Sequence, residues 1–309
     1  MTDLPTTTPA PSSGQVPTPT PPAVDAGGPG ARAGRRRRRR TNGSLVVGGV
    51  LVGLVVALAL VSFVWTPHDP TLVNAATRLQ GPSGDYWFGT DKFGRDVFSQ
   101  IMVGARTTLF VGFVAVGVAA LVGVPLGIVA GMVRGWFGEL LMRGNDLLLA
   151  FPALLLAIMF AAVYGASTLV AMIAIGIATI PNFARLIRSG TLQVLNTEYV
   201  LAARAAGRGP FAIGLRHVLP NVSSLVTVQA SVSFAIAVIA EAALSFLGFG
   251  TPPPTPSWGR MLQESQELLF SAPRLAIFPG VAIAVAVLGF NLLGDGLRDR
   301  FDPRLDDRR

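Results

Sequence analysis

Long runs of apolar residues dominate the chain and are separated by short polar segments. A helix rises about 1.5 Å per residue, so crossing the hydrocarbon core of a membrane takes roughly 20 apolar residues. Charge-free stretches of this kind occur at Leu45–Trp65, within Thr107–Val133, at Val218–Ala240 and at Leu275–Gly294. Each of these four stretches predicts one membrane-spanning helix.

A fifth charge-free stretch, Leu147–Ala184, has 38 residues and is too long for one crossing. Its middle, Tyr164–Ser167, provides a turn and a tyrosine suited to the membrane interface. We therefore predict a helical hairpin with spans at 147–164 and 168–187, which brings the total to six. Membrane β-barrels need alternating segments of about ten residues, and these runs are continuous, so the pattern excludes a barrel. Pro152, Pro181 and Pro279 lie within or beside spans and are expected to bend them.

Composition agrees with a membrane protein, since 51% of the residues are hydrophobic and only 14% are charged. A soluble domain carries about a quarter charged residues. The absence of cysteine excludes disulfides and thiolate metal sites, and only His68 and His217 remain as histidine ligands. We therefore predict no bound metal.

The net charge of +8 is compatible with nucleic acid or with anionic lipid, and the placement of the charges favours lipid. The N-terminus, 134–143, 185–217 and the segment after 295 together carry nineteen of the 25 basic residues. Basic residues concentrate in cytoplasmic segments of membrane proteins. Both termini are therefore predicted to be cytoplasmic, with the chain crossing the membrane many times.

The N-terminal tail, residues 1–43, contains a part rich in Pro, Thr, Ser and Gly that is predicted to be disordered, followed by Arg35–Arg40. We interpret the arginine run as a determinant of topology that touches anionic headgroups, not as a nucleic-acid site. The first span, at about 44–66, exceeds the usual signal-peptide core and lacks a cleavage site after it, which predicts a retained anchor.

The segment between the fourth and fifth spans has the signals of two short helices. Asn196 or Thr197 is a candidate N-cap, and Glu198 lies in the first turn, where a carboxylate suits the helix dipole. Gly207 fits the left-handed position just past a helix end, and Pro210 suits the first turn of a second helix.

The first of these two helices has a face of small residues flanked by arginines. The small residues are Ala202, Ala203, Ala205 and Ala206, and the arginines are Arg204 and Arg208. Small side chains allow a helix to sink into a groove of a partner protein. An amphipathic helix lying on the lipid headgroups explains the same residues equally well, so the residues alone leave both interpretations open.

The same segment resembles the EAA loop of bacterial importer permeases, whose pattern is E-A-A, three residues, G, nine residues and I-x-L-P. Ala202, Ala203, Gly207, Leu219 and Pro220 match this pattern at the right spacing. Leu201 stands in place of the Glu and His217 in place of the Ile. The resemblance implies that 196–219 is a cytoplasmic coupling loop that docks in a cleft of an ATPase subunit.

Further blocks resemble the C-type permease of dipeptide and oligopeptide ATP-binding-cassette importers. They are Gly89–Asp96, Glu241–Gly248, Pro256–Gly259, Asn291–Asp295 and Arg298–Arg304. The resemblance implies an all-α membrane protein with six transmembrane helices and the type I importer permease fold. It also implies an extracytoplasmic segment at 67–105, a permease domain at 106–296 and a cytoplasmic tail at 297–309.

The implied setting is the plasma membrane of a bacterium, in a complex with several other chains. The resemblance implies a related B-type permease, two ATPase subunits and an extracytoplasmic peptide-binding protein as partners. No G-x-x-x-x-G-K-[ST] motif occurs in the chain. ATP and Mg²⁺ are therefore expected to be used by the partner subunits, and this chain is expected to be neither an enzyme nor bound to a cofactor.

Other cargoes and classes remain to be separated from peptide import. Nickel or glutathione are rival cargoes, because permeases for them look alike. A secondary transporter needs several ionisable groups at mid-membrane, and a membrane scaffold needs none. Glu241 is the one acid well inside an apolar run, which makes it a candidate for the substrate pathway or for a structural pair. On the outer side, Arg95 is expected to pair with Asp91 or Asp96.

Overall fold

The computed structural model describes residues 43–133 and 135–301. The described part is helical, and the predicted disorder of the N-terminal tail and most of the predicted C-terminal tail lie outside it. Its α-helices are α1 (Gly43–Val64), α2 (Val97–Met132), α3 (Trp136–Ala150), α4 (Ala153–Tyr164), α5 (Thr168–Leu195), α6 (Glu198–Ala205), α7 (Pro210–Ile213), α8 (Leu219–Phe246), α9 (Trp258–Ser265) and α10 (Arg274–Phe301).

Five of the described helical segments are long and apolar enough to cross a membrane, namely α1, α2, α5, α10 and the continuous segment Pro210–Phe246 that contains α7 and α8. They coincide with five of the predicted spans. Helix α2 begins ten residues before the predicted span, because the Asp96 carboxylate accepts hydrogen bonds from the backbone N–H groups of Phe98 and Ser99. Its 36 residues extend over about 54 Å, so α2 projects beyond a hydrocarbon core of about 30 Å.

The third predicted span, 147–164, is divided in the structure. Helices α3 and α4 meet at an angle of 81°. Neither is long enough to cross a membrane alone, but the bent pair together could form one span. The break lies at Phe151, whose φ of −90° and ψ of 128° are extended, just before Pro152. A residue that precedes proline is disfavoured in the helical region, and proline itself has no N–H to donate. Pro181 and Pro279, in contrast, lie inside the continuous helices α5 and α10.

Helices α2 and α5 make the most extensive helix–helix contact in the described part of the chain. Three glycines spaced four residues apart on α2, Gly123, Gly127 and Gly131, face α5. A Cβ atom at Gly127 would lie 2.6 Å from the carbonyl oxygen of Ala184, and one at Gly123 would lie 2.6 Å from the Cβ of Phe183. Glycine at this spacing allows two membrane helices to approach backbone to backbone. Helix α8 packs against α2, α5 and α10, and α1 packs against α10.

The bundle has two ends, which we name after the short helices that lie there. At the α6 end, α5 leads into α6 and α7 leads into α8. At the α9 end, the segment between α1 and α2 folds against α9 and the start of α10. There the fully buried indole of Trp258 donates a hydrogen bond of 3.0 Å to the carbonyl oxygen of Ile101 and packs on Gly104.

A cluster of charged side chains connects the segment before α2 to α9. Arg95 is mostly buried, and its Nε donates to Asp91 Oδ2 at 2.6 Å while its Nη2 contacts Glu264 on α9. Arg260 donates to the other oxygen of Glu264 at 2.8 Å, and the side-chain amide of Gln100 donates to Asp91 at 3.0 Å. Of the two predicted partners of Arg95, Asp91 is the one that pairs with it, because Asp96 caps α2.

We expect Arg95→Gln to destabilise the folded protein by about 2 kcal/mol, because it leaves two mostly buried carboxylates without their shared cation. Arg143→Gln is the matched control. Arg143 pairs at 3.0 Å with Glu139 in an exposed i,i+4 arrangement, whose loss should cost less than about 0.5 kcal/mol. Thermal unfolding of the purified protein in detergent measures both changes. Equal melting temperatures for the two variants would contradict this role of Arg95.

Candidate functional site

The predicted coupling loop, 196–219, is present at the α6 end as two short helices joined by a tight turn. Helix α6 ends in a Schellman motif: the N–H of Gly207 donates to the carbonyl of Arg204 at 2.9 Å, and that of Arg208 to the carbonyl of Ala203 at 3.1 Å. Gly207 has a φ of +79°, the left-handed conformation expected from the sequence. Pro210 is the first residue of α7, also as expected.

The N-terminus of α6 follows the prediction in position and differs in detail. Thr197 is the N-cap residue, but its hydroxyl donates to the carbonyl of Val194 at 2.6 Å and does not cap the helix. Glu198 lies in the first turn, where its negative charge meets the positive end of the helix dipole.

Almost all of α6 projects away from the bundle. Among its residues only Val200 is buried, and it is fully buried in an apolar cluster with Val218 and Val222 of the α7–α8 segment. The exposed residues include Leu201, which is 51% exposed, together with Glu198, Ala202, Arg204, Gly207 and Arg208. The sequence interpretation did not single out Val200, although it is the one β-branched residue among the alanines. The loop is therefore attached to the bundle on one side and open on the other.

The second half of the loop continues into a membrane span without interruption. A π-helical turn, Gly214–Val218, connects α7 to α8, so the segment from Pro210 to Phe246 is one helical unit. Leu219 and Pro220, the last residues that match the EAA pattern, are exposed at the start of α8. The end of the loop is therefore part of a helical segment that packs against α2, α5 and α10.

Glu241 lies far from this loop, near the other end of α8. Its side chain is 1% exposed, and its Oε1 accepts a hydrogen bond of 2.7 Å from the Ser245 hydroxyl, which in turn accepts one from the N–H of Thr251. Helix α9 closes over this region, since a Cβ at Gly259 would lie 2.2 Å from the carbonyl oxygen of Ala242. Glu241 is thus packed between helices and joined to the hydroxyl of Ser245, not to the backbone or arginine partner of the structural alternative, and its place in the substrate pathway stays a prediction.

Comparisons with known proteins identify the family of this chain. The model of the family described as "Binding-protein-dependent transport system inner membrane component" matches residues 123–307. The chain is 42% identical over 266 residues to the dipeptide transport system permease protein DppC of Alkalihalophilus pseudofirmus, covering 86% of this chain and 88% of that protein. It is also 42% identical over 261 residues to the glutathione transport system permease protein GsiD of Pectobacterium atrosepticum, covering 84% and 87%.

A solved structure has a similar fold. The match is to an inward-facing conformation of the MetNI methionine ABC transporter, with a TM-score of 0.56 and 18% sequence identity. It covers 66% of this chain and 96% of the matched chain. At this level of identity the likeness concerns the arrangement of the helices alone.

Proposed function

The chain belongs to the family of binding-protein-dependent transport system inner membrane components, the permease subunits of ATP-binding-cassette importers, and from this premise we propose that it carries di- and oligopeptides across a bacterial plasma membrane. The observation that carries the cargo assignment is the 42% identity to a dipeptide permease over 86% of the chain. The protruding α6 supports a role as a subunit that other chains drive.

We propose that the α6 end faces the cytoplasm, with both termini on that side. The segments predicted to be cytoplasmic carry nineteen of the 25 basic residues, and basic segments stay on the cytoplasmic side. In this orientation the Arg95 cluster and α9 face the outside, where a peptide-binding protein delivers its cargo.

We propose that an ATPase subunit binds this loop. The proposed contact residues are Glu198, Ala202, Ala203, Arg204, Gly207, Arg208, Leu219 and Pro220. ATP and Mg²⁺ then belong to two partner ATPases, which supply the energy for transport, and this chain binds neither. Closure of the ATPase pair would move α6, and the continuous segment Pro210–Phe246 would pass that movement to the bundle. Together with a related B-type permease, the chain would alternate between inward and outward openings.

Glutathione is the second candidate cargo, because a glutathione permease is as similar to this chain as the dipeptide permease is. Glutathione is itself a tripeptide with one unusual linkage, so the two candidates share most of their chemistry. Both have a free carboxylate, peptide groups and an amino group.

Uptake by cells tests the proposal and separates the two cargoes. We expect deletion of this chain to abolish uptake of labelled dipeptides and growth on peptides as the nitrogen source, and the intact gene to restore both. Glutathione uptake measured in the same strains reports on the second cargo. Unchanged peptide uptake after deletion, with glutathione uptake lost, would assign the chain to glutathione; unchanged uptake of both would refute the proposed function.

A further inference from the structure

A large cavity of mixed polarity opens at the α6 end between α5, α8 and α10. It has a volume of about 600 Å³, which lies in the range of small-molecule sites. Its polar lining consists of Gln193 from α5, Asn221, Ser224 and Gln229 from α8, and Arg298 from α10. Glu241 is not among the residues that line it, so this cavity is separate from the acid that the sequence singled out.

The residues of α8 that line the cavity follow one face of that helix into the membrane. Asn221, Ser224, Val228 and Val232 line the cavity at intervals of three and four residues, the spacing of neighbours on one helical face. The distance from Asn221 to Val232 along the axis is about 16 Å, roughly half of a hydrocarbon core of about 30 Å. The cavity therefore extends well into the depth of the bilayer.

Contact with lipid would be unfavourable for this face of α8. Asparagine and glutamine side chains that face acyl chains lose their hydrogen bonds with water, which is costly, so such residues in membrane helices line protein contacts or wet cavities. Gln229 donates one hydrogen bond of 3.1 Å to the Ser233 hydroxyl, and its carbonyl oxygen accepts none in the described part of the chain. A groove of mixed polarity with amide side chains at this depth is suited to water and to a polar solute.

The chemistry of the lining matches a peptide. Three side-chain amides and one hydroxyl both donate and accept hydrogen bonds, as the peptide group of a cargo does. Arg298 adds one positive charge at the mouth, and no ion pair in the described part of the chain includes it. No carboxylate of the described residues lines the cavity, so the described lining would hold the carboxylate end of a peptide and leave the amino end to other surfaces.

We propose that this groove, formed by Gln193, Asn221, Ser224, Gln229 and Arg298, is the wall that this chain contributes to the inward-facing translocation pathway, and that Arg298 receives the carboxylate of the departing peptide. The inference deepens the proposed function and rests on it. It names residues outside the coupling loop and predicts that cargo in transit contacts α8 along one face only.

Single introduced cysteines test the groove, since the chain contains no cysteine of its own. Ser224→Cys places a thiol in the groove, and Ser223→Cys places one on the adjacent, exposed residue, which does not line it. The complete transporter, otherwise cysteine-free, is placed in lipid nanodiscs and treated with a charged methanethiosulfonate. We expect millimolar dipeptide to slow the modification of Ser224→Cys about threefold or more, because a groove that is two-thirds occupied leaves one third of the thiols free to react. The modification rate of Ser223→Cys should not change.

Transport after modification is the second readout. In proteoliposomes, the bulky adduct at Ser224→Cys should block dipeptide uptake, whereas the adduct at Ser223→Cys should not. Equal protection and equal uptake in the two variants would refute the proposal that the groove is part of the translocation pathway. A Ser224→Cys thiol that does not react at all would refute it too. Wild-type uptake, measured alongside, separates these results from failure of the proposed function.

The variant Arg298→Gln tests whether Arg298 binds the carboxylate of the peptide. For dipeptides with a free C-terminus we expect KM for uptake to rise about tenfold, the effect of losing one charge-assisted hydrogen bond. For the same dipeptides with an amidated C-terminus, KM should change less than about twofold, because no charge is lost. The same rise for both peptides would refute recognition of the carboxylate by Arg298.

Discussion

Gly207→Pro is expected to reduce peptide uptake at least tenfold, equivalent to about 1.4 kcal/mol of coupling, while the chain still inserts into the membrane. The residue has a φ of +79°, which proline cannot adopt, since its ring holds φ near −65°. Proline also removes the N–H that donates to the carbonyl of Arg204. The turn between α6 and α7 would then change direction, and the loop would no longer present its exposed face in one orientation.

Transport and ATP hydrolysis should separate in this variant. The purified transporter is expected to hydrolyse ATP at its basal rate and to lose the stimulation given by cargo-loaded binding protein. Gly209→Pro is the matched control, because Gly209 has a φ of −68° and nothing lies within 4 Å of a Cβ placed there. Normal uptake by Gly207→Pro, with the ATPase retained at wild-type levels, would refute the coupling role of the loop.

Gly127→Leu should remove most of the folded protein from the membrane. A Cβ at this position lies 2.6 Å from the backbone oxygen of Ala184 and 2.9 Å from the Cβ of Ile187. Neither the backbone atom nor the branched carbon has freedom to move aside, so α2 and α5 must separate. We expect a loss of stability of about 3 kcal/mol or more, at the upper end for overpacking.

The same substitution elsewhere on α2 provides the control. Gly117 lies ten residues before Gly127, and no atom lies within 4 Å of a Cβ placed there. Gly117→Leu should therefore leave the melting temperature of the purified chain nearly unchanged. Size-exclusion profiles of fluorescent fusions extracted from membranes measure both variants. Equal recovery of the two folded proteins would show that the close contact of α2 with α5 is not required.

The predicted coupling loop shows which features follow from the local sequence. The left-handed glycine at 207 and the proline that begins α7 were both predicted, because each depends on backbone preferences of a few neighbouring residues. The anchoring of the loop through Val200 was not predicted. Its partners Val218 and Val222 follow about twenty residues later, and no local pattern connects them.

The bent pair α3–α4 shows what hydropathy does not detect. The apolar run from 147 to 164 satisfies the length of a span, and hydropathy alone does not register a break in the backbone. Pro152 was expected to bend its span, and the structure gives the size of that bend, 81°. Proline permits such a break, and the two short helices pack against different pairs of neighbours, α3 against α2 and α5 and α4 against α5 and α8.

The chain's own sequence determined that this is a membrane protein, where most of its spans lie and what shape its exposed loop has, because apolar length and helix-end preferences are properties of contiguous residues. The tertiary structure alone decided that Arg95 pairs with Asp91 and Glu264, that Glu241 is enclosed beside Ser245, and that α5, α8 and α10 surround a cavity of mixed polarity. Those features join residues up to about 170 positions apart, and only the packing of whole helices brings them together.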